Sequence, residues 1–228
     1  MKKIIIAVST FFATFSAFSQ TLNQISFSGA TNLSFFSFIT DQQAIIRVSQ
    51  DGNIIEWGVA YEPGRMGYYE GKLQPYMGRV DYYGQEADAV YKGKVKSIGA
   101  CTITYFPSSS PDEQKGKVKS IGMVMMDYYM NYDNESIRGK LKSAGGTAIS
   151  YFLSYDNEAY KGKLKMVGNT SLTYYSVFDD KFNKGKLKSI GSSTFTWYNE
   201  FDRKEYQGSL KSGSSPQKIN GVTYNIWQ

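Results

Sequence analysis

The chain is expected to be all-β, a tandem array of antiparallel β-hairpins, and three observations carry that expectation. Six glycines stand at positions 93, 116, 139, 162, 185 and 208, always 23 residues apart, which marks one supersecondary unit copied in tandem and stacked on its neighbours. The copies open on near-identical phrases: GKVKSIG at Gly93 and Gly116, GKLKSAG at Gly139, GKLKMVG at Gly162, GKLKSIG at Gly185 and a frayed GSLKSGS at Gly208. Further along each copy comes an alternating β-branched and aromatic segment, such as 102–106 or 194–198, with no 3.6-residue stripe. A 23-residue period also suits one coil of a β-solenoid, which stands as the alternative fold.

Taken in order, residues 1–19 read as a secretory signal peptide. Lys2 and Lys3 precede a short apolar stretch from Ile4 to Phe18, and small residues surround a cleavage point after Ser19. Ser9, Thr10, Thr14 and Ser16 interrupt that stretch, so it reads as cleaved rather than spanning, leaving no transmembrane segment after cleavage. No cysteine follows the cleavage point to take a lipid. Residues 20–70 form an N-terminal cap, in which Asp51-Gly52-Asn53 joins two apolar runs as a hairpin. The array covers 71–213, with units starting at 71, 93, 116, 139, 162, 185 and 208. Residues 214–228 form a C-terminal cap strand, in which 222–226 alternate.

Within a unit, the third position (Val95, Val118, Leu141, Leu164, Leu187, Leu210) is apolar and, except at Leu210, which follows Ser209, lies between two lysines, so the lysines are expected to share one face. A glycine at the seventh position (Gly99, Gly122, Gly145, Gly168, Gly191) marks either a tight turn or a bend in one longer strand. In the second strand, Ile103, Met126, Ile149, Leu172 and Phe195 share a face with Tyr105, Tyr128, Tyr151, Tyr174 and Trp197, and these columns are the expected core. One residue on, Phe106, Tyr129, Phe152, Tyr175 and Tyr198 should point the other way. An aromatic-Asp pair then turns the chain back at Asp133, Asp156, Asp179 and Asp202, whereas the copy at Gly93 carries Ser109-Ser110-Pro111. A single unit has too few apolar slots to offset the entropy of ordering 23 residues, so stacking is obligatory.

The Gly-Lys-Leu-Lys-Ser opening and the period resemble MORN-type-2 repeats. The Tyr-Asp ahead of Gly-Lys-Leu, as at Tyr155-Asp156 and Gly162, resembles YD repeats of the Rhs type. The tyrosine pair sits earlier than in the first family, and five residues separate Asp156 from Gly162 where the second has about two. Either resemblance implies an antiparallel β array over 71–213 and brings no catalytic residue.

The chain has no histidine and one cysteine, Cys101, which removes the commonest general base and metal ligand and any intramolecular disulfide. Cys101 occupies a small-residue slot and reads as buried. The strongest candidate binding feature is a ladder of Lys94, Lys96, Lys117, Lys119, Lys140, Lys142, Lys163, Lys165, Lys186, Lys188 and Lys211. Such a ladder would take an anionic polymer by additive, salt-sensitive contacts, or else keep a sheet face soluble. The expected function is thus a non-enzymatic binding or structural module of the cell envelope. It would be exported to the periplasm, the outer membrane or beyond, with an anionic envelope polymer or envelope protein as partner. No catalytic residue, metal, cofactor or nucleic acid is called for. Two alternatives are a hydrolytic, carbohydrate-active enzyme using Glu56, Glu62 or Glu70, and an outer-membrane β-barrel.

Overall fold

The computed structural model describes residues 21–60 and 72–227; the expected leader at 1–19, with Glu62 and Glu70, lies outside them. The chain is all-β. The first strands are β1 (Thr21–Ser28), β2 (Asn32–Ile39), β3 (Ala44–Val48) and β4 (Ile54–Val59). The array follows as β5 (Val80–Tyr82), β6 (Val95–Ile98), β7 (Cys101–Tyr105), β8 (Val118–Ile121), β9 (Val124–Tyr128), β10 (Leu141–Ala144), β11 (Thr147–Tyr151), β12 (Leu164–Val167), β13 (Thr170–Tyr174), β14 (Leu187–Ile190) and β15 (Ser193–Thr194). The chain ends on β16 (Thr196–Trp197), β17 (Leu210–Ser212), β18 (Gln217–Ile219) and β19 (Val222–Trp227).

Strands β5 to β15 pair each with the next, all antiparallel, in one sheet of eleven, and β16 with β17 continues the series. Sequential antiparallel pairing is the mark of stacked hairpins, since a solenoid coil would pair its strands in parallel. The sheets are open at their edges, so the described strands close no barrel.

Each hairpin is closed by a two-residue turn that begins on the seventh-position glycine. Ala144 pairs with Thr147 around Gly145, whose φ of 58° suits a turn that demands a left-handed first residue. The tight turn therefore holds even at Gly122-Met123, where the methionine side chain stands 82% exposed at the tip.

A β-bulge recurs in every copy. Tyr128 faces Leu141 and Asp127 faces Ser143, which leaves Lys142 as the extra residue between them. The same shift sets aside Lys96, Lys119, Lys165, Lys188 and Lys211. The extra residue restores parity, so the third and sixth positions of the opening phrase turn inward although they are three apart. Val118 and Ile121, Leu164 and Val167, and Leu187 and Ile190 are all buried. With Ile103, Met126, Ile149, Leu172 and Phe195 and the core tyrosines they make one apolar face.

That face is covered by a second sheet, ordered β18-β19-β1-β2-β3-β4. Residues 21–59 and 217–227 thus build one lid along the array rather than separate plugs at its ends. The two ends of the chain meet where β1 runs parallel to β19. Ile25, Phe27, Phe36, Phe38, Ile46, Tyr224 and Ile226 join the array's core cluster. Lid loops also supply backbone partners to successive units. The N–H of Val118 donates to Gly52 O (2.9 Å), that of Leu141 to Gln50 O (2.8 Å) and that of Leu187 to Ala30 O (2.9 Å). At the turn edge, Gln42 accepts from the Ala100 N–H and Asn220 donates to Thr170.

Candidate functional site

The lysines of the ladder divide into two rows with different surroundings. In the inner row, Lys94, Lys117, Lys140, Lys163 and Lys186 turn back over the sheet end onto the core ring of their own unit. Lys117 Nζ lies 5.1 Å from the Tyr128 ring centre and Lys140 Nζ 5.2 Å from that of Tyr151. Each amine donates to the carbonyl of the next unit's opening glycine: Lys94 to Gly116 (2.6 Å), Lys140 to Gly162 (2.6 Å), Lys163 to Gly185 (2.6 Å), and likewise Lys117 to Gly139 and Lys186 to Gly208. The 23-residue Gly-Lys phrase thereby gains a mechanical meaning, since the lysine of one copy ties down the glycine of the next. Gly185 has φ +75°, and a Cβ there would stand 2.9 Å from Lys163 Nζ and 2.8 Å from Ala159 O. Only glycine admits both the backbone angle and the amine. Burial lowers the proton affinity of the inner amines, that of Lys163 to a pKa of about 8.

The outer row sits on the bulges. Lys96, Lys119, Lys165, Lys188 and Lys211 are exposed and Lys142 is half-buried. Their amines lie over the second aromatic column: Lys119 at 5.9 Å from Phe106, Lys142 at 5.6 Å from Tyr129, Lys165 at 5.2 Å from Phe152 and Lys188 at 5.4 Å from Tyr175. Among the described residues, Lys119, Lys142 and Lys165 make no hydrogen bond or ion pair, whereas Lys211 pairs with Asp202 at 2.9 Å. The two lysines of a unit therefore do not share a face, because the bulge falls on the second of them.

The second aromatic column is half-buried rather than an open stripe. Tyr129 donates to Ile149 O (2.9 Å) and Tyr175 to Phe195 O (3.0 Å), so these rings bridge to the next copy while their upper faces support the outer lysines. Beside the outer row the open sheet face carries short hydroxyls, with Thr173 against Ser189 (2.6 Å) and Thr196 against Ser212 (2.7 Å), while the corresponding pair of Thr104 and Ser120 (2.7 Å) is more buried.

The recurrent aspartates pin turns. Asp133, Asp156 and Asp179 each accept from the N–H three residues earlier at 2.6 Å, and Asp202 does so at 2.8 Å. The residue before each, namely Tyr132, Tyr155, Phe178 and Phe201, projects from the loop with 80%, 78%, 91% and 90% of its surface exposed. These rings escaped the sequence reading, where they counted only as half of a turn signal. Their recurrence at 23-residue spacing was the available clue.

Glu56 does not stand free for acid–base work. Its carboxylate takes Arg47 at 2.6 Å and the Leu73 N–H at 3.0 Å. Cys101 is buried and burial pushes its thiol up to about 11, far from a reactive thiolate. No cluster of metal-ligating side chains occurs among the described residues. A cleft of about 520 Å³ opens at the turn edge between Leu22, Asn220 and the Gly145-Gly146 turn, without an ionisable side chain in its lining. No family model, curated protein or solved structure matches the chain.

Proposed function

We propose that this protein is an exported, non-enzymatic β-repeat module of the cell envelope that binds an anionic envelope polymer along its outer lysine row. The observation that carries this reading is the separation of the two rows. One is consumed in holding the units together, while the other repeats once per hairpin over exposed, hydroxyl-lined sheet with amines that face solvent. Aromatic rings beneath the amines hold them upright without neutralising them. Hairpins recur every two strands, about 9.5 Å, so a chain with regularly spaced carboxylates or phosphates would meet several lysines at once and bind by multivalency.

The test uses the purified chain and polygalacturonate, followed by titration calorimetry at low and high salt. The wild type is expected to bind at low salt and to weaken at least tenfold at high salt, as screened surface charges require. A variant with Lys119, Lys142, Lys165 and Lys188 changed to Gln should lose binding while its unfolding midpoint stays put. Equal binding by both proteins, or none by either across polygalacturonate and polyphosphate, overturns the reading.

A further inference from the structure

We infer a second, independent binding surface: the loop-tip rings Tyr132, Tyr155, Phe178 and Phe201 form a stacking rail for one extended, neutral, β-linked polysaccharide chain. Every other aromatic column of the repeat is tucked against a neighbouring ring, carbonyl or amine, as Tyr128 is against Phe106 and Lys117. The tip rings are the exception, left almost wholly in water in four successive copies. The position just before each ring has diverged to Asn131, Ser154, Val177 and Glu200, while the ring itself remains aromatic in all four copies.

The rings do not serve one another. Two strands separate neighbouring tips, about 9.5 Å, and aromatic pairs need centroids within about 4.5–7 Å. An extended β-1,4-linked glycan has a disaccharide repeat of nearly the two-strand length, with alternate sugars presenting the same apolar face. One chain can therefore lay a sugar on each ring in turn. Each ring stands on a turn closed twice, as in the second copy, where the Leu153 N–H donates to Asp156 Oδ2 and the Asp156 N–H to Leu153 O. The rail is thus ordered before it binds, which lowers the cost of association.

The groups beside the rings select the ligand. Acidic and basic side chains are mixed on the ring-bearing loops, where Glu158 pairs with Lys161 (2.7 Å), Glu200 with Lys181 (3.5 Å) and Asp202 with Lys211 (2.9 Å). Charges paired in this way exert little net pull on a carboxylate or phosphate polymer, while their oxygens and N–H groups suit sugar hydroxyls, so the rail favours a neutral glycan. The same pairing leaves no basic cluster to draw the rings onto an anionic bilayer, the other surface to which exposed aromatic rings are suited.

The experiment is co-sedimentation of the purified full chain with insoluble cellulose and chitin, and with vesicles of phosphatidylglycerol and phosphatidylethanolamine. Two variants accompany it, one with all four rings changed to Ala and one with all four changed to Trp. Retention on at least one glycan is expected, unchanged by 0.5 M salt (roughly a 4 Å screening length), reduced at least about tenfold in the Ala variant and kept in the Trp variant. The exposed rings support no packing, so unfolding midpoints should match. Retention on no glycan, equal retention of the wild type and the Ala variant, or ring-dependent binding to vesicles alone overturns the proposal. The polygalacturonate measurement and this one vary independently, so either surface can fail without the other.

Discussion

Lys163 and Lys165 flank Leu164 at the start of one strand, chemically identical and repeated at the same period, yet the structure uses them in opposite ways. Lys163 is half-buried, its ammonium on a carbonyl of the next copy and over the Tyr174 ring. Lys165 is exposed over Phe152, a ring of the preceding hairpin. The difference arises in the backbone. Lys165 is the unpaired residue of a bulge, between Tyr151 facing Leu164 and Ser150 facing Met166, so it leaves the ladder, while Lys163 lies at the strand's entry where the sheet end offers an acceptor. Residue type and spacing alone do not assign a role to a lysine ladder; the local pairing does.

The comparison breaks most completely with alkali. The rings beneath the inner row are buried, and burial raises the Tyr105, Tyr128 and Tyr174 phenols well above their ordinary range. In the unfolded chain they release protons near pH 10. Their contribution to stability is therefore full below about pH 10 and is lost as pH climbs beyond it. Lys163 acts in the other direction. Its folded pKa of about 8 lies below the unfolded value of about 10.4, so unfolding takes up a proton between the two and stability rises with pH across that window. Urea titrations followed by circular dichroism should show a shallow rise from pH 8 to about 10 and then a steep fall. Lys163→Met should reduce the rise, to which the other inner lysines also contribute, and leave the fall.

A smaller break comes from the glycine that receives the inner amine. Gly185→Ala places a methyl within 3 Å of Lys163 Nζ and Ala159 O at a left-handed φ, which should cost about 1–3 kcal/mol. Gly146→Ala, with open space around it, is the matched control and should change stability by less than about 0.5 kcal/mol. Thermal and urea unfolding of the two variants measure the gap.

The finest test compares the rows directly. Lys163→Ala removes a hydrogen bond from a charged donor and should destabilise by about 1.5–3 kcal/mol. Lys165→Ala, with only a ring contact to lose, should stay within about 0.5 kcal/mol. Equal effects would mean that the rows are not distinct.

Much of the array was legible because duplication amplifies weak signals. One alternating segment is ambiguous, but five aligned on their glycines expose the columns at Ile149 and Tyr151 and the apolar slot at Leu141. The sixth position was not legible. Period-two alternation places Ile98 and Ile121 opposite Val95 and Val118, and only the bulge brings both members of each pair inside. The turn was readable as an alternative but undecided, since Met123 looked too apolar for the solvent that the backbone gives it.

By itself, the sequence determined the all-β class, the hairpin period, the units from 93 to 208 and the central columns of the core, because local alternation and repetition are properties of neighbouring residues. Only the tertiary structure decided how the ends are used and which lysines are free. Pairing β1 with β19 joins residues some 200 positions apart, Ser26 with Asn225, and no local pattern encodes such a partner. The array's apolar face demands a cover, but that 21–59 and 217–227 together supply it follows from packing across the whole chain. Surface exposure is equally a product of that packing, which is why it hid Lys163 and left Tyr132, Tyr155, Phe178 and Phe201 in water.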